Sequence, residues 1–386
     1  MKIRVPDYYK DFKCIAGACT DTCCAGWQVD VDDRSFEYYR KIEGPFGERL
    51  RLVMREGKNG AEGQFEIRPD GRCPFLNDEN LCDLYTELGE DALCVTCEQY
   101  PRYTCEFGNL RETGIALSCR TAAELILRKD TNPGFTEYEN EESFTGLNNI
   151  DGTLFLKLLK ARKTAFSIVH NNALTIDERM AVLLIFGSEI QKNIKNPHKI
   201  QETVDKYDSL NGASGEKPFA QLLQENKKGA ESAEKTVKIY RKIWLFYMKQ
   251  IIIKPEWPKL FETVDELLYR ENIFDKTEEF KEYNKEWEYE YENILTYFIF
   301  RYFLKAVFDY RILTKVKMAV ISTIMIRQCD IGVWLKNNKE ISFDDRTWIA
   351  HLYSREVEHS EENFDALSKI FDSKKVFSTK NILSLL

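Results

Sequence analysis

Ten of the eleven cysteines in this chain fall before residue 120, and no other feature narrows its folding options as much. Four lie in the run Cys14-Ile-Ala-Gly-Ala-Cys19-Thr-Asp-Thr-Cys23-Cys24, and Cys73, Cys82, Cys94, Cys97, Cys105 and Cys119 form a second block. The remaining 267 residues hold only Cys329. At 386 residues the chain can bury a substantial core without covalent staples, so thiols crowded at one end imply a local task. The opening Met1-Lys-Ile-Arg-Val-Pro lacks the apolar segment of a secretory signal, which predicts a cytoplasmic protein. In that compartment thiols stay reduced and clustered ones usually bind metal, so an exported disulfide protein is disfavoured.

The most apolar run, Ile294 to Phe308, is interrupted by Arg301 and Lys305 and is too short to span a bilayer. A net charge of −8 argues against nucleic-acid or membrane partners. Residues 1–130 carry 18 Lys+Arg against 24 Asp+Glu, so the cysteine-rich part is itself acidic. An acidic face suits a lysine-bearing protein substrate, although ordinary solubility accounts for it as well.

Pattern divides the chain into a cysteine-rich domain over 1–130 and an α-helical domain over 131–386, mainly α in class with irregular structure and short β in the first part. Phe36, Tyr39 and Ile42 recur at near-helical spacing, Gln64 to Arg68 alternates before a Pro-Asp-Gly turn, and Leu110 to Leu117 reads as a strand. Ser118-Cys119-Arg120 opens a helix over Thr121–Leu127. Asp130 to Ile150, acidic and Asn-rich, reads as a linker. Beyond it, helices are expected from Leu154 to Phe166, after the capping box Thr175-Ile-Asp-Glu178, and over Val237–Ile253, Glu279–Phe308 and Ile312–Arg327. A loop-rich insertion is expected over 207–233. The aromatic run from Trp287 to Phe303 is weighed two ways. It forms either a buried helix with an acidic, exposed start, the preferred reading, or a cation–π wall for a lysine.

Thiolates select zinc or iron–sulfur clusters over hard cations. The spacing matches neither a zinc ribbon, since Cys94–Cys97 is the one Cys-x2-Cys, nor a ferredoxin run, nor Cys-x3-Cys-x2-Cys. Metal is thus indicated more firmly than which metal.

Several ordered motifs carry a family resemblance: Phe12-Lys13-Cys14-Ile15 through Cys23-Cys24-Ala25-Gly26-Trp27, then Cys73-Pro74-Phe75-Leu76, Leu81-Cys82, Thr96-Cys97-Glu98-Gln99-Tyr100-Pro101-Arg102, Leu117-Ser118-Cys119, and the run from Tyr289 to Leu304. Together they resemble the flagellin lysine-N-methylase (FliB-type) family, with an N-terminal domain similar to zinc- or iron-chelating modules. The resemblance implies S-adenosylmethionine-dependent N-methylation of lysine side chains on flagellin. It also implies a [4Fe-4S] cluster held by some of Cys14, Cys19, Cys23, Cys24, Cys73, Cys82, Cys97 and Cys119. Eight candidates exceed the four that one cluster takes. Cys94 and Cys105 read as incidental, and Cys329 as a core residue.

The alternative is a non-enzymatic module in which zinc staples the N-terminal domain and the helical part binds a protein partner. No Gly-x-Gly loop, Walker loop or nucleophile elbow occurs. Glu98 and Tyr100 are conceivable contributors of a base, Arg102 reads as a brace for the metal loop, and His170, His198, His351 and His359 read as ordinary surface or core residues.

Overall fold

The apolar residues after position 150 fold as helices, and the largest of these pack around one long central helix, Ile312–Lys336. The computed structural model describes residues 1–57, 63–129, 134–142, 150–212, 219–226, 232–270 and 272–386. Its architecture is mainly α, as expected. Helices Ile176–Lys192, Glu256–Val264, Glu288–Tyr302, Phe343–Val357 and Glu361–Ser373 surround the central one. By length and composition the central helix could cross a membrane, yet 89% of its most apolar window is enclosed by protein. It is apolar around its whole circumference, the mark of a core helix.

Sequence pattern placed several boundaries imperfectly, each for a local reason. The Thr175–Glu178 capping box forms as expected. The run expected over Glu279–Phe308 breaks after Tyr283, where Asn284 ends one helix, and again at Phe303, so Glu288–Tyr302 stands alone. The helix expected to reach Ile253 ends at Tyr247. The Glu356 carboxylate takes the backbone N–H groups of Ile253 (3.0 Å) and Lys254 (2.6 Å), and Pro255 follows. Of the 207–233 insertion, Tyr207–Gly212 completes the helix Pro197–Gly212, and Ala220–Asn226 is helical with Leu222 and Leu223 buried. Residues 213–218 and 227–231 lie outside the described residues.

Two small sheets occupy the N-terminal part. Strands β1 (Lys2–Pro6), β5 (Arg102–Phe107), β6 (Leu110–Ile115) and β7 (Phe135–Glu139) form one sheet in the order β5-β6-β1-β7. Strands β2 (Asp30–Val31), β3 (Met54–Glu56) and β4 (Gly63–Phe65) form the other, in the order β2-β4-β3. β1 runs parallel to β6 and antiparallel to β7, with Ile3 opposite Arg111 and Tyr138. The strand β7 corrects the reading of 130–150 as a plain linker. Its Glu137 pairs with Arg4 at 2.6 Å, and Phe135 stacks on Phe300 at 4.8 Å.

Among the described residues the buried apolar side chains form three clusters, the smallest of them Met1, Ile3 and Val5 on β1. Val29, Val31, Tyr39, Leu50, Phe65, Phe75 and Leu84 pack in a second, small core. Tyr8, Phe12, Phe107, Ile115, Leu117 and the helix Arg120–Leu127 instead join the large helical core. Glu112 of β6 ties that sheet to the body through a buried ion pair with Arg162. Cys73, Cys82, Cys94 and Cys97 belong with the small core, and Cys105 and Cys119 pack against the large one.

Candidate metal centre

The cysteine loop begins with a tight turn, Ala16–Ala18, and closes on Gly26, whose φ of +87° places it in the region that favours glycine. Gly26 N–H donates to Gly71 O at 2.8 Å, and Cys73 N–H to Cys24 O at 2.8 Å. These bonds lay the Cys23-Cys24 corner against the Cys73 turn, so two segments fifty residues apart meet through backbone.

The sulfurs of Cys23 and Cys24 stand 4.0 Å apart, and the remaining thiols divide around this pair. Its hydrogen bond with Cys24, burial, and the nearby Cys119 and Cys14 thiols push the Cys23 thiol up. Burial holds Cys119 up at about 11, with Cys19 and Cys14 adding to it. The hydrogen bond with Cys23 draws Cys24 down to about 7 against its burial, helped by Thr22, Arg355 and Arg72. Burial pushes Cys73 up to about 12, reinforced by Cys24, Cys82 and Cys94. Cys82 rises by burial and the nearness of Cys24, and Cys97 rises through its hydrogen bond with Cys94, burial, and the nearness of Cys24 and Cys73.

Cys14, Cys19 and Cys119 thus act on the Cys23 side of the pair, and Cys73, Cys82, Cys97 and the buried Cys94 on the Cys24 side, the two sets being joined by the Cys23–Cys24 contact. Among the described residues, no three His, Cys, Asp or Glu side chains converge closely enough to hold a metal ion. The donor chemistry suits a thiophilic centre, while the separations are wider than one ion's coordination sphere.

A cationic floor lies beneath the Cys23 side, and sequence reasoning missed it. Asp21, between Cys19 and Cys23, accepts from His351 Nε2 at 2.7 Å and from Lys254 Nζ at 2.5 Å, with Arg355 at 3.7 Å. Burial would raise the Asp21 pKa, but His351, Arg355 and Lys254 outweigh it and hold the carboxyl well below its usual range. Burial lowers the His351 pKa against the pull of Asp21, and Nε2 faces the Asp21 carboxylate as donor. Arg355 donates to Ala25 O at 2.5 Å and to Thr22 O at 3.4 Å. His351 and Arg355 belong to the helix Phe343–Val357, some 330 residues away in sequence. No local signal could have paired them with the loop.

Aromatic packing completes the clamp. Trp27 Nε1 donates to Cys23 O at 2.5 Å, and its ring meets His359 edge-on at 4.4 Å. Tyr100 packs on His359 at 5.5 Å and donates its hydroxyl to Ser118 O at 2.8 Å, steadying the turn that carries Cys119. Burial pushes the Tyr100 hydroxyl well above its ordinary pKa, which removes it as a base at neutral pH. Arg102 is exposed and lies over the Phe12 ring at 5.4 Å, and Glu98 is exposed.

The aromatic run forms the buried helix, with one correction. Its acidic start is not all solvated, for Glu290 is buried against Arg346 at 3.2 Å and pushed up to about 8 by burial. The cation–π wall is already filled by the chain's own Arg301, 4.4 Å from the Tyr103 ring and 5.2 Å from Tyr302. Cys105 lies on β5 and Cys329 inside the central helix, both outside the thiol groups. An open cavity of about 590 Å³, lined by Phe135, Phe166, His170, Asn171 and Asn211 among others, lies in the helical body and carries no thiol.

The FliB lysine N-methylase C-terminal domain family matches residues 162–385. The chain belongs to this family. The matched region contains Lys254, His351, Arg355 and His359, so the clamp on the cysteine loop is built by the family domain itself. Among relatives, the chain is similar to the flagellar biosynthetic protein FliU of Salmonella muenchen, 26% identical over 129 residues that make up 32% of this chain and 76% of that one. It is similar to the lysine-N-methylases of Salmonella choleraesuis (strain SC-B67) and Salmonella typhimurium (strain LT2), each 26% identical over 129 residues. These matches span about a third of the length of either methylase, 32%. No solved structure matches.

Proposed function

We propose that the chain is a cytoplasmic methyltransferase that uses S-adenosylmethionine to methylate lysine side chains on flagellin, with a [4Fe-4S] cluster held by Cys14, Cys19, Cys23 and Cys119. The observation that carries this reading is the seating of the Cys19–Cys23 loop on Lys254, His351 and Arg355 of the family domain. A thiolate-bound centre is anionic, and Lys254 and Arg355 together exceed the charge of Asp21, leaving positive charge beside the loop to offset part of it.

Bound S-adenosylmethionine supplies a methyl group on a sulfonium. Its nucleoside is assigned to the 590 Å³ cavity, whose volume lies in the range of small-molecule sites and whose lining combines aromatic faces with amides. The acceptor lysine must arrive as a free amine, because the ammonium has no lone pair, and burial against apolar walls lowers its pKa. Co-expression with flagellin tests the proposal. Intact-mass analysis should show flagellin heavier by whole methyl increments with the wild-type chain and unmodified with Cys23→Ser. Unmodified flagellin beside a cluster-loaded wild-type chain would overturn it.

A further inference from the structure

We infer that a narrow crevice adjoining the open cavity is the slot for the acceptor lysine, with Phe135 as the partition between the lysine stem and the adenosyl group. The inference rests on the proposed placement of S-adenosylmethionine in the cavity and adds the second substrate to it.

The crevice is built on one face of the helix Glu288–Tyr302. Asn293, Thr296, Tyr297 and Phe300 all line it, at the i, i+3, i+4 and i+7 spacing of a single helical face. Tyr8, Ile126 and Phe135, the first residue of β7, complete the wall. Two contacts join this crevice to the cavity. Phe135 lines both spaces, its ring 5.0 Å from Phe166 of the cavity and 4.8 Å from Phe300 of the crevice. The Thr296 hydroxyl of the crevice lies 3.0 Å from Nε2 of His170, which belongs to the cavity wall. Ligands in the two spaces are thus separated by one side chain.

The lining suits a lysine in its reactive form. Four aromatic rings and Ile126 offer apolar surface to a stem of four methylenes. Among the described residues none of the lining side chains is a carboxylate, and the Arg301 guanidinium is bonded to the Tyr297 hydroxyl. Of the nearest acids, Glu358 is taken by Arg301, Tyr302 and Ser354, and Glu292 by Arg179 at 2.6 Å. Burial without a counter-ion, beside a fixed cation, disfavours the ammonium and favours the free amine. The Thr296 hydroxyl has two acceptor lone pairs, so it takes a hydrogen bond from that amine while paired with His170. The methionine moiety of the donor, which is charged, finds no counter-ion here and stays in the larger cavity.

Transfer across the partition balances without a further reagent. The amine lone pair forms the N–CH3 bond, the S–CH3 bond breaks with its electron pair left on sulfur, and the resulting methylammonium gives one proton to water. In the structure the crevice is closed to about 10 Å³, room for about one water. Phe135 is half-buried, whereas Tyr8, Ile126, Tyr297 and Phe300 are buried, so the stem enters by turning the Phe135 ring aside.

The test is calorimetry on the wild-type full-length chain with two probes, so that no variant has to fold. Both are S-adenosylmethionine with nitrogen in place of sulfur. One carries the methyl group, and the other carries in its place a lysine side chain joined through its amine. The lysine-bearing probe should bind about tenfold tighter or more. A diazirine on its arm should label peptides that contain Phe135 or residues 293–300. Equal affinity of the two probes overturns the slot, and labelling confined to other peptides overturns its location. Failure of both probes to bind would instead overturn the placement of S-adenosylmethionine in the cavity, and the slot with it.

Discussion

The lobe around Phe75 and the body around the central helix reach order by opposite routes. The body encloses Ile312–Lys336 on nearly every side and buries whole tyrosines, tryptophans and arginines. Among the described residues the lobe has ten core residues and strands too short to stand alone, yet its turns are closed by backbone bonds that converge on thiols. Burial holds the first, and short-range backbone closure around thiols marks the second. Where they meet, the body grips the lobe's cysteine loop through polar contacts to Asp21, Thr22 and Ala25. The comparison teaches that the family domain here is a seat for the cysteine loop as much as a fold in its own right.

Metal removal should separate the two most sharply. A metal held by the thiols, as proposed, would couple its binding to the folding of the lobe, so chelation under reducing, anaerobic conditions should loosen the lobe around Phe75 and leave the central helix protected in hydrogen exchange. Uniform loss of protection would break the contrast. The next effect lies in the body. Arg162→Met strips the buried Glu112 of its bidentate partner but leaves it Arg4 at 2.7 Å, and should cost about 1.5–3 kcal/mol in denaturant unfolding. The double variant with Glu112→Leu should recover most of that loss.

Acid should weaken the seam before it weakens either core. Burial lowers the His359 pKa to about 3, with Arg355, Arg301 and His351 adding to it. A base lowered on folding contributes stability that is complete above its unfolded value, about 6.5, and is lost progressively as pH falls toward the folded value. Asp21, also lowered, holds its contribution until pH falls below about 4. Limited proteolysis of the cysteine loop should therefore accelerate between pH 7 and pH 5, and His359→Gln should flatten that slope. Gly26→Ala, forced into a left-handed backbone, should cost about 1–2 kcal/mol and lower iron retention. The smallest effect is expected at Phe166→Ala, which should weaken S-adenosylmethionine binding several-fold in calorimetry while leaving metal content unchanged.

How far the sequence could be read follows the range of the interactions involved. The helical class, the Thr175 capping box and β6 depend on neighbours a few residues apart, and periodicity found them. The thiols were legible as a set because residue type carries the chemistry. Their arrangement was not, since Cys119 is positioned by the helix Arg120–Leu127, which packs into the large core. Cys94 looked incidental because a lone spacing cannot show that it is buried beside Cys97. The strand β7 was hidden in acidic composition because its charges are answered by Lys2 and Arg4 across the sheet. The clamp from His351 and Arg355 depends on tertiary structure alone.

The most direct test of the central claim is a methyl-transfer assay with anaerobically purified chain, S-adenosylmethionine and unmodified flagellin, read by intact and peptide mass. The account predicts methyl increments confined to flagellin lysines with the metal-loaded chain and none with Cys23→Ser or after cluster removal. Unmodified flagellin with the loaded chain, or equal modification after the cluster is gone, would contradict it.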